Sequence, residues 1–301
     1  MDQLVLHPQT RQHIERCLAQ PSHAILLIGA EGIGKHTVAM AIMQQLLGLD
    51  SLEAVSQYPY TREVVPEKDK SSIGIEAIRE LQHFASLKLP GGSKSQQQLR
   101  FIFVPKAHAM TTEAQNGLLK LLEEPPQDTH FIMTADSAQQ LLPTVRSRSQ
   151  QLTLNRPSKA DLEQHFQAGY DAQAIQQAYL MSGGLPGLMT ALLSNEDHPM
   201  RQAAQTARQL LQASQFERLC KVDELSKKKP EALQVLAVLR HMAQAAIEQS
   251  AQAAQGQPTD ETTTKRLKQW HKILQASFEA EKSYDVSAQA KLVLTNLMLA
   301  L

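Results

Sequence analysis

At 301 residues the chain is long enough for about two or three domains with buried cores, and its 30 basic residues balance 30 acidic ones, which excludes a global field that would hold nucleic acid or an anionic membrane. Only Cys17 and Cys220 are present and aromatic residues make up 4% of the chain; this excludes a disulfide framework or a four-cysteine zinc site and leaves little for stacking single-stranded nucleic acid. No apolar run reaches the roughly 18 residues of a membrane span, and charge and proline break the N-terminus too early for a signal peptide. The expectation is therefore a soluble, cytoplasmic protein with no membrane partner.

Taken in chain order, "AILLI" at Ala24 to Ile28, "FIFV" at Phe101 to Val104 and "FIMTA" at Phe131 to Ala135 are continuous apolar runs, as buried strands of a parallel sheet are. Helical patterns lie between them. Val38, Ile42 and Leu46 keep one face after Gly34, with Gly48 placed to cap the end; Ile75, Ile78, Leu81 and Phe84 mark a second helix. A third opens at "TTEAQ", where Thr112 and Gln115 have capping-box spacing, and must stop at Pro125 and Pro126. Alternating strands and helices predict an α/β layer fold. Beyond Asn155 the strand signals fade. "SKADLEQHF" predicts a helix with Ser158 as N-cap, "SGGLPGLMTALL" a glycine turn feeding a helix, and the rest is helical apart from breaks at "SKKKPEA" and at "QGQPTDETTT", read as a loop.

The stretch "GAEGIGKHT" has the G-x-x-x-x-G-K-[ST] spacing of a phosphate-binding loop between a strand and a helix. Gly29, Gly32, Gly34, Lys35 and Thr37 are its candidate nucleotide-binding residues. The position after the lysine, which should carry a magnesium-ligating hydroxyl, is His36, a poor partner for a hard cation. Thr37 has the hydroxyl, but one further residue turns it about 100° around the helix. A carboxylate is also needed at the end of a neighbouring strand, yet "FIFV" is followed by Pro105 and Lys106. These two losses predict that the chain does not hydrolyse nucleotide; Lys35 leaves ATP or ADP binding open, and neither is required as a cofactor. No set of residues is expected to hold a metal: His7, His13 and His23 lack metal-site spacing. Glu123 and Glu124 close a helix before the Pro-Pro stop, and the "KKKP" run reads as a solvated face.

The pattern A-x-x-M-T-x-E-A-x-N-x-L-L-K-x-L-E-E-P-P from Ala107 to Pro126, with L-L-P-T-x-R-S-R from Leu141 to Arg148, resembles the AAA+ clamp-loader family of the bacterial replicative polymerase, and within it the delta-prime type. The resemblance is strong from Leu26 to Gln150 and only architectural after "SGGLPGLMTALL". It implies an AAA+ parallel-sheet domain over 1–154, a helical lid over 155–196 and a helical collar over 197–301 that holds five subunits in a ring, with "AKLVLTNLMLAL" as a collar helix. The family's Ser-Arg-Cys motif maps onto Ser147, Arg148 and Ser149, which implies that Arg148 is an arginine finger acting in trans on ATP of a neighbouring subunit. Implied partners are the gamma/tau-type ATPase subunits, the delta subunit, the sliding clamp and, indirectly, primed DNA. The resemblance implies that many relatives carry a four-cysteine zinc module where this chain has "LDSLEAVSQYPYTREVVPEKDKSS", so no zinc is expected and the segment reads as a shortened loop. The reading is thus a non-hydrolysing stator. Two alternatives stay open: an active AAA+ ATPase whose metal site is rebuilt from Thr37 and an unpredicted acid, and an AAA+-derived adaptor outside replication.

Overall fold

The computed structural model describes residues 4–67, 70–89, 98–195, 197–253, 261–285 and 289–301. The chain divides into two compact units, Met1–Ser158 and Lys159–Leu301.

In the first unit, α1 (Pro8–Ala19) leads into β1 (Ala24–Ile28), α2 (Lys35–Leu47), α3 (Leu52–Ser56), β2 (Thr61–Glu63), α4 (Ile75–Ser86), β3 (Arg100–Val104), α5 (Thr112–Glu123), β4 (Thr129–Ala135), α6 (Pro143–Ser147) and β5 (Gln150–Thr153). The strands form one sheet in the order β2-β3-β4-β1-β5, and every ladder is parallel. Successive side chains of β1 point to opposite faces. Ala24 and Leu26 join Ile102, Val104, Phe131 and Met133 in a cluster with Ile78, Leu81, Leu118 and Leu122 of α4 and α5. α2 packs against β1 and β4. Phe101, Phe103 and Phe131 are fully buried, and each contributes on the order of 2–3 kcal/mol by leaving water.

The three apolar runs are strands, and the helices fall where the apolar spacing put them. Gly48 caps α2 in the left-handed conformation at φ 64°. Two corrections are needed. The N-cap of α5 is Thr111, whose hydroxyl accepts from the Ala114 N–H at 3.2 Å, and not Thr112. Gln115 makes no capping box; it is buried, donates to the Met110 carbonyl at 3.2 Å and accepts from the Leu142 N–H at 2.8 Å. The segment Leu49–Ser72 is also more than a loop, because it contributes α3 and the edge strand β2; its residues 68 and 69 lie outside the described residues. Cys17 is buried, its thiol pushed up by that burial and directed at Gln150 Oε1, whereas Cys220 is exposed.

The second unit is helical throughout its described residues: α7 (Lys159–Phe166), α8 (Ala172–Ser182), α9 (Pro186–Ser194), α10 (Pro199–Gln212), α11 (Gln215–Ser226), α12 (Lys229–Ala253), α13 (Glu261–Asp285) and α14 (Ala290–Ala300). It takes in the stretch assigned to a collar and that assigned to a lid except residues 155–158, which belong to the first unit. Gly183 and Gly184, at φ 62° and 74°, make the turn into α9. Buried His241 of α12 donates through Nδ1 to the Met181 carbonyl of α8 at 2.9 Å. Arg240 pairs with Glu281 between α12 and α13, and Lys291 of α14 meets Asp223 of α11 at 2.6 Å. The break at "SKKKPEA" shrinks to Lys227 and Lys228. Of the stretch read as a loop, Glu261–Thr264 is helical and 255–260 lies outside the described residues.

Gln115 ties the start of α5 to the segment that enters α6, so its loss strands the buried Met110 carbonyl and the part-buried Leu142 N–H. Gln115→Leu is expected to cost about 1–3 kcal/mol of stability, read as a lower urea midpoint for the first unit with an unchanged slope.

Candidate functional site

Parallel strands place all their carboxyl ends at one edge of the sheet, where ligands of open α/β folds bind. There β1 delivers the loop Gly29–Gly34. A Cβ at Gly29 would sit 3.1 Å from the Leu154 carbonyl oxygen, and Leu154 is fixed because its N–H donates to the Ile28 carbonyl at 2.7 Å. Gly32 and Gly34 have φ 83° and 95°, left-handed values that favour glycine. The glycine spacing therefore answers to backbone geometry, with Gly34 as N-cap of α2.

The lysine of the loop is fully engaged. Lys35 Nζ donates to the Gly29 carbonyl at 2.6 Å, the Ala30 carbonyl at 3.0 Å and Asp136 Oδ1 at 2.7 Å. An ammonium group has three protons to donate, and three acceptors of this chain receive them. The Lys35 side chain is 10% exposed against 37% for Asp136, so the pair is only partly shielded from water. Asp136 follows directly on β4, the neighbour of β1, and His108 Nε2 stands 3.8 Å from its other oxygen. Sequence reasoning missed Asp136. The signal was available: it is the first residue past an apolar strand run, where a parallel sheet brings the chain to the loop edge.

The two motif positions from which a phosphate-binding loop holds magnesium carry no oxygen ligand here. The His36 ring packs edge-on against Phe103 of β3, centroids 5.2 Å apart, and Thr37 is exposed. After β3 come Pro105, whose carbonyl accepts from the Thr134 hydroxyl, and the exposed Lys106. Among the described residues no cluster of three or more His, Cys, Asp or Glu side chains could hold a metal ion, and no helix is long and apolar enough to cross a membrane.

Arg148 is not part of this loop site. It caps the C-terminus of α6 and precedes β5, in which Gln150 pairs with Ile25 and Thr153 with Ile28. It therefore sits at the amino-end edge of the sheet, separated from Gly29 by about 13 Å of strand at ~3.3 Å per residue, farther than its side chain extends. There it meets Glu123 of α5, Nη2 to Oε1 at 2.7 Å. The structure thus brings Gly29, Gly32, Gly34 and Lys35 together, adds Asp136, leaves Thr37 on the exposed side of α2, and puts Arg148 at the opposite edge.

Residues 7–158 match the family model described as "DNA polymerase III, delta subunit". The chain is 32% identical over 184 residues to the DNA polymerase III subunit delta' of Pseudomonas aeruginosa, covering 56% of this chain and 55% of that protein. It is 32% identical over 202 residues to the subunit of the same name from Yersinia pestis, covering 60% and 58%, and 28% identical over 221 residues to that from Escherichia coli, covering 65% and 63%. The matched part thus spans between 55% and 63% of the length of these relatives. With the parallel sheet and the glycine loop in place, and half of the chain matched, the protein belongs to the DNA polymerase III delta-subunit family.

Proposed function

We propose that the chain is a clamp-loader subunit of the delta-prime type, a stator that does not itself hydrolyse ATP. It would sit in a five-membered ring with gamma/tau-type ATPase subunits and a delta subunit, and support ATP-dependent loading of the sliding clamp onto primed DNA. Its chemical contribution is Arg148, offered in trans to ATP held by a neighbour. The observation that carries this reading is the position of Arg148 at the sheet edge opposite its own phosphate-type loop, where it can serve only a nucleotide on another chain. A guanidinium suits that role because its fixed fork of donors matches the oxygens of a transferring phosphoryl group.

The engagement of Lys35 supports the absence of hydrolysis. A phosphate would have to displace Asp136 and two carbonyls before it met the ammonium, with no carboxylate after β3 to hold its metal. Nucleotide is accordingly not a required cofactor, and the described residues offer zinc no ligand set. One observation favours the second reading, an active ATPase: Asp136 is an acid at the loop edge that the P-loop motif does not foresee. Engaged with Lys35 it is a lock in the first reading; in the second it would have to leave the ammonium to ligate a metal.

The purified chain is expected to show no ATP hydrolysis above a buffer control, and Lys35→Ala to change nothing in that assay. Turnover abolished by Lys35→Ala would establish the ATPase reading instead. The same substitution is expected to lower stability by about 1–3 kcal/mol in chemical denaturation, since it leaves the Asp136 carboxylate and two loop carbonyls without their donor. In a reconstituted loader, Arg148→Ala is expected to leave assembly intact and lower DNA-stimulated ATPase by about 10-fold or more, the low end of the range for an arginine finger. An unchanged rate would refute the role.

A further inference from the structure

Arg148 is not extended into solvent. Its Nη1 donates to the Thr144 carbonyl at 3.1 Å and to the Ser147 hydroxyl at 3.2 Å, while Nη2 lies 2.7 Å from Glu123 Oε1. The first two contacts come from its own helical turn; the third crosses to α5. Glu123 is the last residue of α5, a poor place for a carboxylate because the unpaired carbonyls at a helix C-terminus carry partial negative charge. The opposite charge that Glu123 meets is the guanidinium of Arg148.

The consequence concerns the edge that a phosphate would use. A guanidinium binds phosphate through two parallel N–H donors, and in this structure both Nη atoms are directed at acceptors of the same chain. We propose that Glu123 is a restraint on Arg148, holding the guanidinium in cis until the phosphate of a nucleotide on the neighbouring subunit displaces it; this rests on the finger reading of Arg148. The exchange makes and breaks no covalent bond. It is a competition between one carboxylate and a more highly charged phosphate for the same donors. The two side chains are 35% and 50% exposed, and ion pairs of such exposure are weak. The restraint is therefore strong enough to bias Arg148 and weak enough to be released by the better acceptor. Glu123 is a positioning residue: it acts only through Arg148 and touches no substrate.

The test is the ATPase of the reconstituted loader, measured without clamp or DNA, with the chain as wild type, Glu123→Gln, Glu123→Asp, Arg148→Ala, and the Gln and Ala changes combined. Glutamine keeps the size and removes the charge. Glu123→Gln is expected to raise the basal rate about two- to five-fold, the range a partly exposed ion pair can supply, as a change in kcat with assembly on size exclusion and unfolding midpoint both preserved. Glu123→Asp keeps the charge on a shorter arm and is expected to fall between wild type and the Gln variant. In the Arg148→Ala background the Gln change is expected to do nothing, an outcome that a merely structural role for Glu123 would not produce. If Arg148→Ala lowers the rate but Glu123→Gln leaves it unchanged or lowers it, the restraint is overturned and the finger stands. A rise in both backgrounds also overturns the restraint. If Arg148→Ala itself has no effect, the finger reading falls and the restraint with it.

Discussion

Because every ladder in the first unit is parallel, each strand starts at one edge of the sheet and ends at the other, and each connection must carry the chain back. That single constraint sorts the candidate site residues. Whatever follows a strand gathers at the carboxyl edge: Gly29–Lys35 after β1, Pro105 and Lys106 after β3, Asp136 after β4. Whatever precedes a strand gathers at the amino edge, including Arg148 before β5 and the end of α5 that leads into β4. The molecule thus has two separate chemical edges, and no side-chain rearrangement can merge them.

The carboxyl edge shows that the shape of a glycine loop and its electrostatics are set by different contacts. The glycines are held by demands internal to the chain: close approach to Leu154 at Gly29 and left-handed backbone at Gly32 and Gly34. Lys35 finds its acceptors within the same fold. A loop satisfied by its own chain has less free energy to gain from an incoming anion, because binding must first break contacts that already exist. The spacing of a phosphate-binding motif and its capacity to bind phosphate are therefore separate properties, and only the first is written in the spacing.

Much of the fold was legible from residue order. The three apolar strands needed only continuity of Ile, Leu, Val and Phe, and α2, α4 and α5 needed only their spacing. The two strands that sequence reasoning missed, Thr61–Glu63 and Gln150–Thr153, are short and polar. They lie at the two edges of the sheet, where one flank meets solvent and apolar continuity is not required. The α5 cap was misplaced by one residue because consecutive threonines offer the same hydroxyl, and only backbone conformation selects Thr111. Within the site, the loop and Arg148 were readable as motifs. The partners that define their state were not, since Asp136 lies 101 positions from Lys35 and Glu123 is distant in sequence from Arg148. Such pairings depend on which strands are neighbours, and that is a property of topology.

One helix connects these observations. α5 carries Gln115 near its start, bonded to the backbone at Leu142, and Glu123 at its end, paired with Arg148. It therefore grips the α6 segment at both extremities, once by a neutral, part-buried hydrogen bond and once by an ionic contact that is open to solvent. Because α5 is also seated on the sheet through buried Leu118 and Leu122, the two fastenings are unequal in consequence: the Glu123 contact can be given up while the helix stays anchored at Gln115 and along its buried face.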